Sequence, residues 1–95
     1  MSKKNLISII IPYHKKKEYF ATTINSIKSQ TFKNFEVILI YDDTNLDELS
    51  FVKNQLKKIK KKKLIKNKKI LGPGLSRNKG IKISKGKFLA FCDAD

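Results

Sequence analysis

Two stretches of the chain, Leu6-Ile7-Ser8-Ile9-Ile10-Ile11 and Phe35-Glu36-Val37-Ile38-Leu39-Ile40-Tyr41, are apolar and largely β-branched at nearly every position instead of every second one. A strand with one face in water alternates apolar and polar residues, so a continuous run reads as a strand buried on both faces. Each run ends on a turn signal, Pro12 in the first and Asp42-Asp43-Thr44-Asn45 in the second. Between them Phe20, Ile24 and Ile27 recur at i, i+4 and i+7, the spacing of one helical face. The helix predicted there ends near Gln30-Thr31. After the second run, Leu49, Val52, Leu56 and Ile59 repeat at i, i+3, i+7 and i+10, which predicts a second amphipathic helix.

The same alternation continues. Leu64-Ile65 predicts a short third strand, Gly72-Pro73-Gly74 a break, residues 75 to 84 a third helix, and Phe88-Leu89-Ala90-Phe91-Cys92 a last strand. The order βαβαβαβ belongs to the α/β class, a Rossmann-like, mostly parallel sheet covered on both faces with right-handed crossovers. No internal repeat or linker interrupts it. Ninety-five residues supply one modest core, so a single unit is expected.

Charge and special residues narrow the function. No apolar stretch reaches the roughly 20 residues of a membrane-spanning helix. The run near the start is too short and too β-branched for a signal peptide, so the cytoplasm is the expected compartment. Cys92 is the single cysteine; it forms neither an internal disulfide nor a multi-cysteine zinc site, and is expected as a buried, inert thiol. The net charge of +14 ordinarily points to nucleic acid. Yet 21 of the 22 basic residues are lysine, with Arg77 the lone arginine, and the nine lysines between Lys57 and Lys69 have no aromatic interleaved for base stacking. That run reads as a solvated helix end and loop, and nucleic acid is not an expected partner.

In a parallel sheet, ligands bind beyond the carboxyl ends of the strands. The sequence gathers polar residues there: Pro12-Tyr13-His14, Asp42-Asp43, residues 67 to 74, and Asp93-Ala94-Asp95. Asp93 and Asp95, one residue apart, suit a hard divalent cation, and such a cation would bridge a diphosphate that carboxylates alone repel. Arg77 offers a positive contact, and Asp42 or Asp43 an acceptor for a base N–H or a ribose hydroxyl. Gly72-Pro73-Gly74 lacks a further glycine at position 77, and Gly86-Lys87 is followed by Phe88, so neither a dinucleotide fingerprint nor a P-loop is present. One histidine and one cysteine in separate segments make no nucleophilic dyad.

In their order and spacing, IIIPYH, SQTFKNFEVILIYDD, NKKILGPGLSRNKGI and SKGKFLAFCDAD resemble the amino-terminal half of the family 2 glycosyltransferases, inverting enzymes of GT-A fold. The resemblance runs nearly end to end. It implies a nucleotide-diphosphate sugar donor, commonly a UDP-sugar, a Mg or Mn ion, and a saccharide or lipid-linked acceptor, with peripheral association at the inner face of the cell membrane left open. By the same resemblance Pro12 and Tyr13 form the base-contacting loop, Asp43 meets the base with Asp42 beside it, and Arg77 contacts the nucleotide. Asp93-Ala94-Asp95 is similar to the DxD motif, in which Asp95 ligates the metal and Asp93, beside it in the metal site, helps hold the ribose or sugar. Lys15 stands where the family commonly has asparagine, and Thr44-Asn45 where it has glycine-serine; both departures are expected to shift donor preference without abolishing binding. The resemblance puts the acceptor contacts and the general base beyond residue 95. These residues are therefore expected to be a fragment or truncated form that binds nucleotide and does not transfer sugar alone, with an unpaired apolar edge on the last strand. A nonenzymatic nucleotide-binding remnant is the alternative, with a basic nucleic-acid-binding module behind it.

Overall fold

The computed structural model describes residues 5–92; Asp93, Ala94 and Asp95 lie outside them. The elements follow the predicted order: β1 (Ile7–Tyr13), α1 (Lys17–Ser29), β2 (Phe35–Tyr41), α2 (Leu49–Leu56), β3 (Lys62–Lys66), α3 (Pro73–Ile83) and β4 (Phe88–Phe91). The four strands form one parallel sheet in the order β3-β2-β1-β4.

The continuous apolar runs are explained by what lies on each face. The odd-numbered residues Ile9, Ile11, Tyr13, Val37, Leu39 and Tyr41 pack with Phe20, Ile24 and Ile27 of α1 and with Val52 and Leu56 of α2. The even-numbered Ile10, Ile38 and Ile40 form a second, smaller cluster with Ile65 and with Ile83 of α3. At about 1.5–3 kcal/mol for each fully buried aliphatic side chain, β1 and β2 dominate the apolar stabilisation.

α3 reaches the sheet differently. Its buried residues are Ser76 and Gly80, two small residues one turn apart. A Cβ built at Gly80 would lie 2.6 Å from Ile10 Cγ2, so the missing side chain lets the helix backbone settle directly on β1. At the amino end of the sheet, Ser8 Oγ donates to Glu36 Oε2 at 2.6 Å, while the backbone N–H groups of Lys85 and Gly86 donate to Glu36 Oε2 and Ser8 Oγ at 2.7 and 2.8 Å. These bonds pin the connection from α3 to β4.

Two details differ from the sequence reading. α2 stops at Leu56 and not at Ile59, because the N–H groups of Lys57, Lys58 and Ile59 turn to carbonyls three residues back, a tighter 3₁₀-like closure. Ile59 is still buried after the helix ends. Cys92 is partly exposed and not buried. It follows β4, which lies at the sheet edge with Phe88, Leu89 and Phe91 exposed; among the described residues no strand pairs the far side of β4.

Gly80→Ala tests the close approach of α3. Overpacking against the fully buried Ile10 costs about 1–3 kcal/mol, against roughly 0.5–1 kcal/mol gained by replacing a helical glycine. A net loss of about 1–2 kcal/mol in urea unfolding is expected, and Ile10→Ala in the same chain should shrink the incremental cost of the alanine.

Candidate functional site

The strand order reverses beside β1: the chain passes from β1 out to β2 and β3, then returns across the sheet to β4. This is the switch point of an open α/β sheet. Pro12 shapes it. The carbonyls of Leu6 and Ile10 accept from Phe88 and Cys92, so even-numbered positions of β1 face β4; Ile7 N–H and Tyr13 C=O bond to Asn34 and Asp42, so odd-numbered positions face β2. Proline has no N–H, and at position 12 that removes a donor on the β4 side alone. Accordingly β1 stays in register with β2 as far as Tyr13↔Tyr41, whereas its pairing with β4 ends at Ile10↔Phe91 among the described residues.

Tyr13 has its backbone at this rim and its ring elsewhere. The ring stacks on Tyr41 at 5.4 Å, meets Phe20 edge-on at 5.2 Å and is fully buried beneath α1 and α2, with its hydroxyl donating to Glu48 Oε1. Burial, reinforced by the hydrogen bond to Glu48, pushes the phenol well above its ordinary pKa. Tyr13 braces the loop from inside.

The aspartate pair divides its work. Asp42 Oδ1 accepts from Leu71 N–H at 2.8 Å and from Asn67 Nδ2 at 2.9 Å, and Oδ2 accepts from Gly72 N–H at 2.9 Å. Asn67 is held in turn by Ser76 Oγ at 3.2 Å and by Lys79 Nζ, which donates to its Oδ1 at 2.7 Å. Gly72 has φ 89°, a conformation natural only to glycine, and from it the chain enters α3 with Pro73 in the first turn. Asp42 therefore sits at the positive end of the α3 dipole as well as under two backbone donors. Burial acts to raise its pKa, but the hydrogen bonds from Leu71, Asn67 and Gly72 outweigh that and hold it below the usual carboxylate range. Its oxygens are engaged within the protein, and its role here is to position the 67–72 segment and α3.

Asp43 follows β2 and faces His14 at the exit of β1. Its Oδ1 accepts from Asn45 N–H at 2.9 Å, an Asx turn, and its Oδ2 is 3.7 Å from His14 Nδ1. His14 Nδ1 is also 2.7 Å from Asp42 O, which fixes the proton on that nitrogen as donor to the carbonyl. Next to it Lys15 has φ 52°, a left-handed conformation better suited to asparagine or glycine. Arg77 lies one turn into α3 and is partly exposed.

Asn67, Ser76, Lys79 and Glu48 carry the frame of the site, and none stood out in the sequence as a site residue. The available signal was Asp42 itself: a carboxylate that ends a doubly buried strand must find donors. Among the described residues no group of three or more His, Cys, Asp or Glu is placed to hold a metal. Asp93, Ala94 and Asp95, the expected DxD triplet, lie outside the described residues. As a donor set, two carboxylates one residue apart offer the hard oxygen ligands that Mg or Mn takes.

The family model for glycosyl transferase family 2 matches residues 8–95. An uncharacterized glycosyltransferase of Methanocaldococcus jannaschii is 37% identical over 94 residues, covering 97% of this chain and 32% of that protein. The Escherichia coli UDP-Glc:alpha-D-GlcNAc-diphosphoundecaprenol beta-1,3-glucosyltransferase WfaP is 40% identical over 92 residues, covering 95% of this chain and 35% of the relative. Among solved structures, Staphylococcus aureus TarS 1–349 in complex with UDP-GlcNAc superposes with a TM-score of 0.83 at 27% identity over 94% of this chain and 26% of that one, and the same protein with UDP gives 0.82 at 31%. The chain spans about a third of the length of these two curated relatives. The superposition assigns the sheet to the amino-terminal, Rossmann-like part of the GT-A fold.

Two outcomes follow for this rim. Because the Asp42 and Glu36 carboxyls are both held below their unfolded values, their stabilisation is present above the unfolded carboxylate pKa and lost as pH falls through the folded-state values. Urea unfolding of the native chain should weaken with acid in that range, and Asp42→Asn should flatten the decline while costing about 2–3 kcal/mol at neutral pH. Lys15→Asn should raise stability by up to about 1 kcal/mol in the same assay.

Proposed function

Since the chain belongs to glycosyl transferase family 2, we propose that it forms the donor-binding part of an inverting glycosyltransferase that uses a nucleotide-diphosphate sugar, with a UDP-sugar as the first choice. The observation that carries this reading is the switch point between β1 and β4, where Asp43 faces His14 at the end of β1 and α3 is anchored to the same rim through Asp42. The TarS complexes with UDP-GlcNAc and UDP and the UDP-Glc donor in the name of WfaP support a uridine nucleotide.

In this reading Asp43 accepts a hydrogen bond from the base, Pro12 and the Tyr13 backbone line the base loop, and Arg77 meets the nucleotide. Asp95 with Asp93 would hold a Mg or Mn ion, with Ala94 between them against the donor. A bound divalent cation supplies the charge neutralisation that a departing diphosphate requires. Asp42 does not touch the donor; it holds Leu71, Gly72 and α3 where Arg77 is presented. A general base beyond residue 95 activates the acceptor hydroxyl for displacement at the anomeric carbon, which inverts it. A saccharide or lipid-linked acceptor at the inner face of the cell membrane completes the reading.

Calorimetric titration of the purified chain with UDP tests it. UDP should bind with Mn present and weakly without it, and Asp95→Ala should remove the Mn dependence. Asp43→Asn, which keeps an acceptor for Asn45 N–H, should weaken UDP by about tenfold, as should Arg77→Ala. A folded chain, by circular dichroism, whose affinity for UDP ignores Mn, Asp43 and Arg77 alike would overturn the assignment.

A further inference from the structure

Carboxylates are segregated along the strand direction, whereas lysines occur at both ends. Among the described residues, Glu18, Asp42, Asp43, Asp47 and Glu48 all lie toward the end where the strands finish and α1 and α2 begin. The sixth carboxylate, Glu36, is at the opposite end but buried and bound to Ser8 and Lys85 N–H. That opposite end, where helices finish and chains return to the sheet, exposes lysines with no accessible carboxylate beside them. Five of these, Lys28, Lys33, Lys58, Lys60 and Lys61, ring an open cleft of about 370 Å³ that has Phe35 and Ile59 as its apolar floor. In the same connection Phe32, next to Lys33, is 42% exposed.

Helix dipoles explain part of this. Lys28 lies in the last turn of α1, Lys33 Nζ donates to Lys28 O at 2.6 Å, and cations at helix carboxyl ends are favourable. They do not explain Lys60 and Lys61 beyond the end of α2, nor an exposed phenylalanine among cations. The combination of an apolar floor, a projecting aromatic and a ring of flexible lysines is complementary to a surface that is both anionic and apolar within a few ångströms of depth. Lysine stems lie along apolar surface while their heads reach charge. A nucleic acid would favour arginine forks and a row of stacking rings, and this face has neither.

We propose that the amino end of the sheet is a docking face for an anionic phospholipid bilayer, with Lys28, Lys33, Lys58, Lys60 and Lys61 against the headgroups and Phe32 at the acyl boundary. The inference is independent of the donor reading. A seven-residue strand is roughly 23 Å long, so the carboxylate rim faces away from the bilayer toward soluble ligands. The lysine run Lys57 to Lys69 is thereby split: its first residues belong to this face, whereas Lys66 ends β3, and Lys68 and Lys69 follow it, at the opposite end.

That split supplies a charge-matched test by flotation with phosphatidylcholine vesicles, with and without phosphatidylglycerol, using inorganic polyphosphate as a purely ionic probe. The native chain should bind only the phosphatidylglycerol vesicles. Each lysine near an anionic surface contributes about fivefold, so the Lys33, Lys60 and Lys61→Gln triple variant should lose roughly 100-fold. The Lys66, Lys68 and Lys69→Gln variant, of equal net charge, should lose far less. Phe32→Ala should weaken vesicle binding several-fold and leave polyphosphate binding unchanged. Equal losses in the two triple variants, a Phe32→Ala chain that binds vesicles like the native one, or no selectivity for phosphatidylglycerol would each overturn the proposal.

Discussion

The carboxylate of Asp42 is the constraint on which the site rests. It closes a buried strand with a charge, and the chain resolves that by bringing two backbone N–H groups and the Asn67 amide to it. A charge so placed would cost several kcal/mol without partners; with them it fixes a segment that has no other regular structure. The left-handed Gly72, the start of α3 and the position of Arg77 all follow from where those donors must be. The segment between β3 and α3 is therefore positioned by hydrogen bonds and not by apolar packing.

Glu36 does the same at the other end of β2. Both carboxylates have even numbers, so both face α3, and both accept from backbone N–H groups that flank it: Leu71 and Gly72 before the helix, Lys85 after it. α3 is thus strung between two carboxylates of one strand, with Ser76 and Gly80 as its buried residues. A helix held in this way has no need of a wide apolar stripe. Its outer face shows Leu75 and Ile81 exposed, an arrangement that packing against the sheet alone would not produce.

This explains what could be read in the sequence and what could not. β1 and β2 were legible because burial on both faces leaves an unbroken apolar run, and α1 and α2 because one buried stripe leaves a period near 3.6. α3 was legible only through Gly72-Pro73-Gly74, since its contacts are small residues and backbone donors. The ring of Tyr13 was assigned to the rim, yet parity already placed it: as an odd position of β1 it must follow Ile9 and Ile11 toward α1 and α2. Asn67 was placed at the rim by its position after β3, but its bond to Asp42 and the part played by Lys79 could not be read. Their importance depends on a carboxylate 25 or more residues away in sequence, and no local pattern encodes that distance.

Net charge is a poor guide to the crevice for a related reason. The lysine-rich end and the carboxylate rim are separated by roughly the length of a strand, about 23 Å, while the screening length at physiological salt is about 8 Å. The +14 of the whole chain can steer anions toward the molecule, but at the rim an arriving diphosphate meets mainly what is within a few ångströms. Lys79 is occupied by Asn67, and Asp42 is neutralised by donors of the protein itself. Among the described residues, the positive groups at this end of the sheet then include Arg77, the backbone at the start of α3 and lysines that leave β1 and β3, such as Lys15, Lys66, Lys68 and Lys69, opposed by Asp43. In the proposed donor reading the base and ribose would lie on the β1–β2 side and the diphosphate would depend on these nearby cations and on a bound metal, whatever the charge of the rest of the surface.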